Sequence, residues 1–265
     1  MYSKSQLAKK YLQYLLRAAN SKGHGIHSPF VFEFVTKVMN DKNQYECYLP
    51  IEQLRSKLKN NGTVLSIEDF GAGSRTNAQK QRSISFIAKT SLKPKKFSQL
   101  LFRIAQFYKP QTILELGTSL GITSSYLASG NPNGKVITME GAKSVANVAE
   151  ANFKELSIRN INVIQGNFDE TLSSFLRNTS TIDFAFIDGN HRKEPTVSYF
   201  EQLLPKLNDY SILIFDDIHW SKEMEDAWNI IQSHPKVTLT IDLFFIGLVF
   251  FRKEHKEKEH FIIRY

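Results

Sequence analysis

The chain has 265 residues, 42% of them hydrophobic, which is enough for a sizeable core and excludes a wholly disordered protein. Its single cysteine, Cys47, excludes an internal disulfide and a cysteine-based zinc site, as expected in a reducing compartment. The net charge of +8 is uneven, because residues 1–109 carry +13 and residues 110–265 carry −5. The basic first part suits an anionic partner, and a solvated basic face explains it equally well.

The apolar runs of the sequence are short. The longest, LFFIGLVFF at residues 243–251, is far too short to span a bilayer as a helix. The basic, amphipathic N-terminus lacks the unbroken apolar stretch and cleavage site of a signal peptide. We therefore expect a cytoplasmic protein.

The first part of the chain is predicted to be helical. Apolar residues recur at helical spacing in four segments, QLAKKYLQYLLRAAN, FVFEFVTKVM, PIEQLRSKLK and KKFSQLLFRIAQFY. The polar, glycine-containing segment at residues 61–85 lacks this spacing and is predicted to be an ordered loop or a small cap. We therefore expect residues 1–96 to form a basic, helical N-terminal cap or lid.

From about residue 110, β-rich runs alternate with helical segments. The strand-like runs are TILEL, KVITME, NINVIQG, DFAFID, SILIFDD, VTLTIDLF and IGLVFFR. A helical segment follows each of the first five, which predicts right-handed βαβ units and a parallel sheet covered on both faces. No helix separates the last two runs, so they should pair antiparallel. The sequence thus predicts a Rossmann-like, doubly wound α/β fold with seven strands, the last one antiparallel.

Two glycine turns compete for a ligand role, SIEDFGAGSR at residues 66–75 and ILELGTSLG at residues 113–121. A nucleotide-binding turn joins a strand to a helix, and a second strand ends in an acidic residue about 20 residues later. Only the second turn meets this condition, because ITSSYLAS follows it and KVITME ends at Glu140. The first turn is more simply interpreted as a glycine-rich bend in the cap, and contact with a substrate is the alternative interpretation.

The second turn does not fit a dinucleotide or a triphosphate. It lacks the Gly-x-Gly-x-x-Gly spacing that cradles a pyrophosphate and the Gly-Lys-Ser/Thr sequence that binds a triphosphate. Instead Glu115 precedes the first glycine, which suits a ligand with a positively charged end. S-adenosylmethionine carries both an ammonium and a sulfonium.

Five motifs resemble a known family in their order and spacing. ILELGTSLGITSSYLA, VITME, VIQGNFDETL, FAFIDGNHR and SILIFDDIHW are similar to the successive motifs of class I S-adenosylmethionine-dependent methyltransferases. Within that class they most resemble the small-molecule O-methyltransferases of the catechol type. The resemblance covers about residues 97–252, so it implies an S-adenosylmethionine-binding methyltransferase domain at residues 97–265.

The resemblance implies a set of donor-binding residues. Glu115 and Gly117 would border the methionine portion, Glu140 would accept the ribose hydroxyls, and Asn167 and Phe168 would flank the adenine. A surface acid at Glu140 and a plain core residue at Phe168 are the alternatives. The complete implied set is Glu115, Gly117, Thr118, Gly121, Glu140, Gly141, Asn167, Phe168 and Asp188.

Three acids end predicted strands and form a candidate metal site. Ligands bind beyond the carboxyl ends of parallel strands, so Asp188, Asp216 and Asp217 should lie at the mouth of the sheet. In the catechol type, an acid and an Asp-Asn pair at matching places bind magnesium or another divalent cation, which orients the acceptor and lowers the pKa of its hydroxyl. Here Asp217 replaces the Asn. A metal-free scheme, in which these acids position the donor and cap a turn, stays open.

Two histidines are candidate bases. His191 stands three residues after Asp188, where the resemblance implies a lysine, and His219 follows Asp217 by two residues. A histidine with an ordinary pKa near 6.5 accepts a proton at neutral pH. We therefore predict Asp188, His191 and His219 as catalytic residues, and surface histidines are the alternative.

The resemblance and the residues together predict a methyltransferase that acts on an oxygen of a small acceptor, an aromatic hydroxyl being one class. The rival interpretation is a nucleic-acid-binding methyltransferase or a binding-only relative that uses the basic first part of the chain. Against it, the sequence after the fourth strand is DGNH rather than the Asn/Asp-Pro-Pro-Tyr/Phe of base-amino methyltransferases. The oligomeric state stays open, with a homodimer as one option.

Overall fold

A computed structural model describes residues 1–23, 25–67, 80–254 and 257–265. Most of the first glycine turn therefore lies outside the described residues. The chain divides into two compact units, one of residues 42–178 and one that joins residues 1–41 to residues 179–265. The division expected from the sequence, at residues 96 and 97, stays a prediction.

Ten helices are described, and they include every helix that the sequence predicts. They are α1 (Lys4–Arg17), α2 (Pro29–Glu33), α3 (Tyr48–Lys59), α4 (Ile84–Thr90), α5 (Lys95–Tyr108), α6 (Ile122–Gly130), α7 (Lys143–Glu155), α8 (Phe168–Arg177), α9 (Lys193–Leu203) and α10 (Lys222–Ser233). A π-helical segment, Phe34–Met39, continues α2, and a 3₁₀ turn, Leu204–Lys206, continues α9.

Ten strands are described as well. They are β1 (Val64–Ile67), β2 (Lys80–Ser83), β3 (Thr112–Leu116), β4 (Lys135–Glu140), β5 (Ile161–Gln165), β6 (Phe184–Ile187), β7 (Ile212–Asp216), β8 (Leu239–Asp242), β9 (Ile246–Phe250) and β10 (Glu259–Ile262). β1 and β2 pair antiparallel where the sequence predicts a loop or small cap.

The other eight strands form a mostly parallel central sheet with flanking helices, which confirms the predicted fold class. β9 runs antiparallel to both β7 and β8, as expected from the missing helix. The sheet has one strand more than the seven predicted, because β10 adds parallel to β8. The sequence does not predict β10 because it is only four residues long and begins inside the charged run KEHKEKEH.

In the 42–178 unit the parallel strands lie in the order β3, β4, β5. Leu116 is opposite Met139, and Glu140 is opposite Gln165, so the carboxyl ends of the three strands are level. The core of this unit contains the aromatic rings of Tyr48, Phe102 and Tyr126 among aliphatic side chains. This register places the second glycine turn beside the end of β4.

In the unit of residues 1–41 and 179–265, the strand order is β6, β7, β9, β8, β10. Every residue of β6 and β7 is buried, as expected for parallel strands covered on both faces. Ile187 is opposite Phe215, so Asp188 follows β6 at the level where β7 ends with Asp216. In the described part of the chain, no helix combines the length and apolar character needed to cross a membrane.

Candidate active site

The second glycine turn has the backbone shape that its glycines make possible. Gly117 and Gly121 have φ angles of 110° and 79°, and Ser119 between them also lies in the left-handed region, with φ 48°. The amide of Gly117 donates to the carbonyl of Met139 over 3.0 Å, which ties the turn to β4. The turn is therefore a fixed connection from β3 to the first residue of α6.

Gly121 is also required by packing. A Cβ atom at this position would lie 2.5 Å from the ring of Phe153 on α7, well inside contact distance. The left-handed φ of Gly121 adds backbone strain to any side chain there. The glycine thus lets α6 approach α7 closely, which is a structural role beside its predicted place in the donor site.

Glu140 ends β4 and holds the turn through its carboxylate. Oε2 accepts the amide of Ser119 over 2.9 Å, and Oε1 accepts the amide of Ala142 over 3.0 Å. Burial raises the pKa of Glu140, and the amides of Ala142, Ser119 and Gly141 oppose that rise. Each carboxylate oxygen has a second acceptor site, so Glu140 can also receive hydroxyl groups of a ligand.

Glu115 lies completely buried in β3, away from solvent. Its Oε2 accepts hydrogen bonds from the hydroxyls of Ser124 on α6 and Thr138 on β4, the latter over 2.6 Å. Thr138 also contacts the hydroxyl of Thr118 over 2.6 Å. The acid therefore links three elements beneath the turn, and its place beside the methionine portion stays a prediction.

Asn167 and Phe168 stand where β5 gives way to α8. Gly166, with φ 140°, makes the bend, and Asn167 caps the helix by accepting the amide of Asp169 over 3.1 Å. Phe168 is the first residue of α8 and is half-buried. A half-buried ring at a helix start is compatible with both sequence interpretations, the adenine contact and core packing.

A compact group of acids and a histidine lies at the ends of β6 and β7. The ligand-type atoms of Asp188, His191 and Asp216 all lie within 4.8 Å of one another. Nε2 of His191 is 3.4 Å from Oδ1 of Asp188, and Asp216 is 2% exposed. Two carboxylate oxygens and one imidazole nitrogen so close together fit a divalent cation. We call these three residues the acid–histidine group.

The charges around His191 change its protonation. Burial lowers the pKa of His191, but the hydrogen bond and charge of Asp188, with the charges of Asp216 and Asp217, outweigh burial and raise the pKa to about 9. This pKa lies well above the ordinary histidine value near 6.5 on which the sequence-based prediction of a base depends. With no cation on the acids, His191 is therefore an imidazolium at neutral pH.

Asp217 is not a member of the acid–histidine group. It has a left-handed φ of 53°, and its amide donates to the carbonyl of Phe245 over 2.7 Å. Its own carbonyl accepts the amide of Trp220 over 2.9 Å, so the residue forms a turn after β7. The metal role of Asp217 stays a prediction, and the third ligand-type atom of the group belongs to His191, which the sequence predicts only as a base.

His219 lies between two carboxylates. Its Nδ1 is 3.1 Å from Glu225 and its Nε2 is 2.8 Å from Asp242, while its ring stacks on Phe244 at 5.1 Å. Burial lowers the pKa of His219, but both acids outweigh burial and raise it. Because both nitrogens already have acidic partners, His219 is better placed to join α10 and β8 than to accept a proton from a substrate.

The roles of four residues around the site were not predicted from the sequence. Ser124 and Thr138, which hold Glu115, are fully buried hydroxyl residues of α6 and β4, and nothing in the sequence distinguishes them from their polar neighbours. Glu225 and Asp242 could not be assigned to His219 because their contacts depend on how the start of α10 and the end of β8 pack against its ring.

Comparisons with known proteins agree with this architecture. Residues 114–218 match a family described as a methyltransferase domain. A catechol O-methyltransferase of Niastella koreensis is 28% identical over 158 residues, which cover 58% of this chain and 69% of that protein. A tRNA (guanine-N(7)-)-methyltransferase of Mycoplasma mobile is 31% identical over 80 residues, covering 30% of this chain and 40% of that one.

Solved structures share the fold. The crystal structure of a SAH-bound methyltransferase of Podospora anserina superposes with a TM-score of 0.60 at 12% identity, covering 96% of this chain and 98% of that one. The domain match and the shared fold confirm the resemblance to class I S-adenosylmethionine-dependent methyltransferases that the sequence motifs predict. Within that class, the chain is similar to a catechol O-methyltransferase.

Proposed function

We propose that the chain transfers a methyl group from S-adenosylmethionine to a hydroxyl oxygen of a small acceptor, with aromatic hydroxyls as the preferred class. The observation that carries this proposal is the acid–histidine group of Asp188, His191 and Asp216 at the ends of two adjacent parallel strands. Such a group can bind an acceptor hydroxyl and remove its proton.

Residues of the 42–178 unit hold the donor in this proposal. Glu140 accepts the ribose hydroxyls, and the turn from Gly117 to Gly121 lies against the methionine portion. The fit is supported by the fixed backbone of the turn and by the second acceptor site on each oxygen of Glu140. The donor supplies the methyl group on a sulfonium, and most of the rate enhancement comes from holding acceptor and donor in attack geometry.

Asp188 and Asp216 would hold a divalent cation, with Asp217 as the further candidate, and the Nε2 atom of His191 would stay available as the base. A bound cation would supply charge that lowers the pKa of the acceptor hydroxyl. In the metal-free alternative, the same acids hold His191 and position the substrates.

His191 is the proposed base. It can accept a proton only when its imidazole is neutral, and the carboxylates of Asp188, Asp216 and Asp217 oppose that state by raising its pKa to about 9. Positive charge placed on those carboxylates would lower this pKa again. The requirement for a cation and the function of His191 are therefore linked in this proposal.

The test is transfer of labelled methyl from S-adenosylmethionine to a panel of small acceptors. We expect methylation of catechols or other phenols, measured in magnesium, in manganese and in chelator. Absence of transfer to every hydroxylated aromatic, together with transfer to another class of acceptor, would contradict the proposal.

A second candidate function is methylation of a nucleic acid. It is favoured by the local similarity to a tRNA methyltransferase and by the +13 charge of residues 1–109. The same assay with bulk RNA decides between the candidates, since a basic RNA site would also lose affinity steeply as salt is raised.

A further inference from the structure

A cavity of about 280 Å³ lies within the unit of residues 1–41 and 179–265. It is formed by one face of α1, the turn after β7, and the connection from β8 to β9. Its lining includes Leu7, Tyr11, Asp217, Trp220, Phe244 and Phe245. The cavity is therefore built from segments far apart in the sequence.

Aromatic rings dominate the lining. The ring of Tyr11 meets Phe244 edge-on at 5.0 Å and lies 6.0 Å from Phe245, and these two phenylalanines meet edge-on at 5.0 Å. Apolar pockets with a few polar groups are the usual sites for small molecules, and aromatic walls suit a flat ring. The described residues that line the cavity include no lysine or arginine, so nothing there favours a phosphate.

The wall supplied by α1 is held in place by polar contacts. Nζ of Lys10 lies 2.8 Å and 2.9 Å from the two carboxylate oxygens of Glu225, and the hydroxyl of Tyr2 donates to the same carboxylate over 2.7 Å. Glu225 also contacts His219, which lines the cavity and stacks on Phe244. The cavity is thus preformed, which lowers the ordering cost of binding a ligand.

The cavity and the acid–histidine group are neighbours along the chain. Asp217 lines the cavity and is the next residue after Asp216, and its amide bond to Phe245 fixes this turn. We propose that the cavity binds the apolar ring of the methyl acceptor and that α1, through Leu7, Ala8 and Tyr11, determines which acceptors fit. This inference rests on the proposed function, because it names the site of the acceptor in that reaction.

The test is a substitution on α1 that fills part of the cavity with a larger side chain. Ala8 lines the cavity and is otherwise exposed, so Ala8→Trp adds an indole there without disturbing the core. Leu12, which is 61% exposed on the same helix and does not line the cavity, gives the matched control Leu12→Trp. Titration calorimetry with catechol and with S-adenosylmethionine is measured on all three proteins, and the KM for methylation of catechol is measured in parallel.

We expect Ala8→Trp to weaken catechol binding and to raise the KM for catechol by about tenfold or more. A tenfold change in Kd corresponds to the loss of a small part of the apolar surface that the ligand buries. Donor affinity should be unchanged, and Leu12→Trp should behave as the wild type. Wild-type catechol affinity and KM in Ala8→Trp, or no catechol binding by the wild-type protein, would overturn the inference. Catechol binding that Ala8→Trp abolishes, without methylation of any hydroxylated acceptor, would instead refute the proposed function.

Discussion

The donor site can be tested most directly at Glu140. Replacing Glu140 with alanine removes the acceptor for two backbone amides, those of Ser119 and Ala142, and the acceptor proposed for the ribose hydroxyls. A hydrogen bond to a charged group contributes about 1.5–3 kcal/mol. We therefore expect Glu140→Ala to weaken S-adenosylmethionine binding by about 1.5–3 kcal/mol, or roughly 10- to 150-fold in Kd.

The structure separates two causes of that loss. Glu140→Ala also frees the turn, so part of the weaker binding would come from a disordered Ser119 rather than from the missing ribose contact. Glu140→Gln keeps one oxygen acceptor and should lie between alanine and the wild type. Thermal unfolding without donor measures how much the turn has been destabilised, and its contribution can then be subtracted.

The assay is titration calorimetry with S-adenosylmethionine on wild type and variants. Glu150→Ala is the matched control, because Glu150 is an exposed acid on the neighbouring helix α7. Glu68→Ala and Asp69→Ala, in the first glycine turn, should also leave donor affinity unchanged. A wild-type Kd in Glu140→Ala would refute the assignment of Glu140 to the donor.

The remaining predictions concern the cation, the histidines and the turn. A chelator should lower activity, and magnesium or manganese should restore it, whereas full activity in chelator would favour the metal-free scheme. His191→Ala should lower turnover by about 10²–10⁴-fold and leave donor affinity unchanged. In the wild-type protein with chelator, NMR should show the His191 ring titrating near its raised pKa of about 9. The pKa of His219 is raised by folding, so the stability it contributes should be complete below its unfolded pKa and be lost as pH rises through its folded pKa. Denaturant titrations of wild type and His219→Gln should therefore converge at high pH, and a constant difference would contradict the ion-pair role. Gly121→Ala should lower the free energy of unfolding by about 1–3 kcal/mol, because Cβ would meet Phe153 with φ at 79°; a neutral effect in thermal melts would show that α7 moves aside easily.

Much of the fold could be predicted because its signals are local. The buried parallel strands contain continuous apolar runs such as FAFI and ILIF, and each helix between strands has its own apolar periodicity. β10 could not be predicted in the same way, since EHFI is short and its residues are partly exposed. Its pairing with β8 is a tertiary contact that composition does not encode.

In the candidate site, too, the features set by local sequence could be predicted and those set by tertiary contacts could not. The positions of Asp188 and Asp216 follow from their places at strand ends, because adjacent parallel strands bring those ends together. The high pKa of His191 does not follow from sequence, since it depends on three carboxylates converging on one ring. The pairing of His219 with Glu225 and Asp242 likewise requires α10 and β8 to be in place.

The contacts of α1 bear on how the chain folds during synthesis. The hydroxyl of Tyr14 donates to the carbonyl of Ile263, and Ala19 bridges to the same residue, so the helix is fixed by chain made more than 240 residues later. Residues 42–178 form a continuous unit that can complete its own contacts first. During synthesis on a ribosome, the unit that carries the second glycine turn can therefore fold before the aromatic cavity forms, and α1 can dock only after β10 has been synthesised.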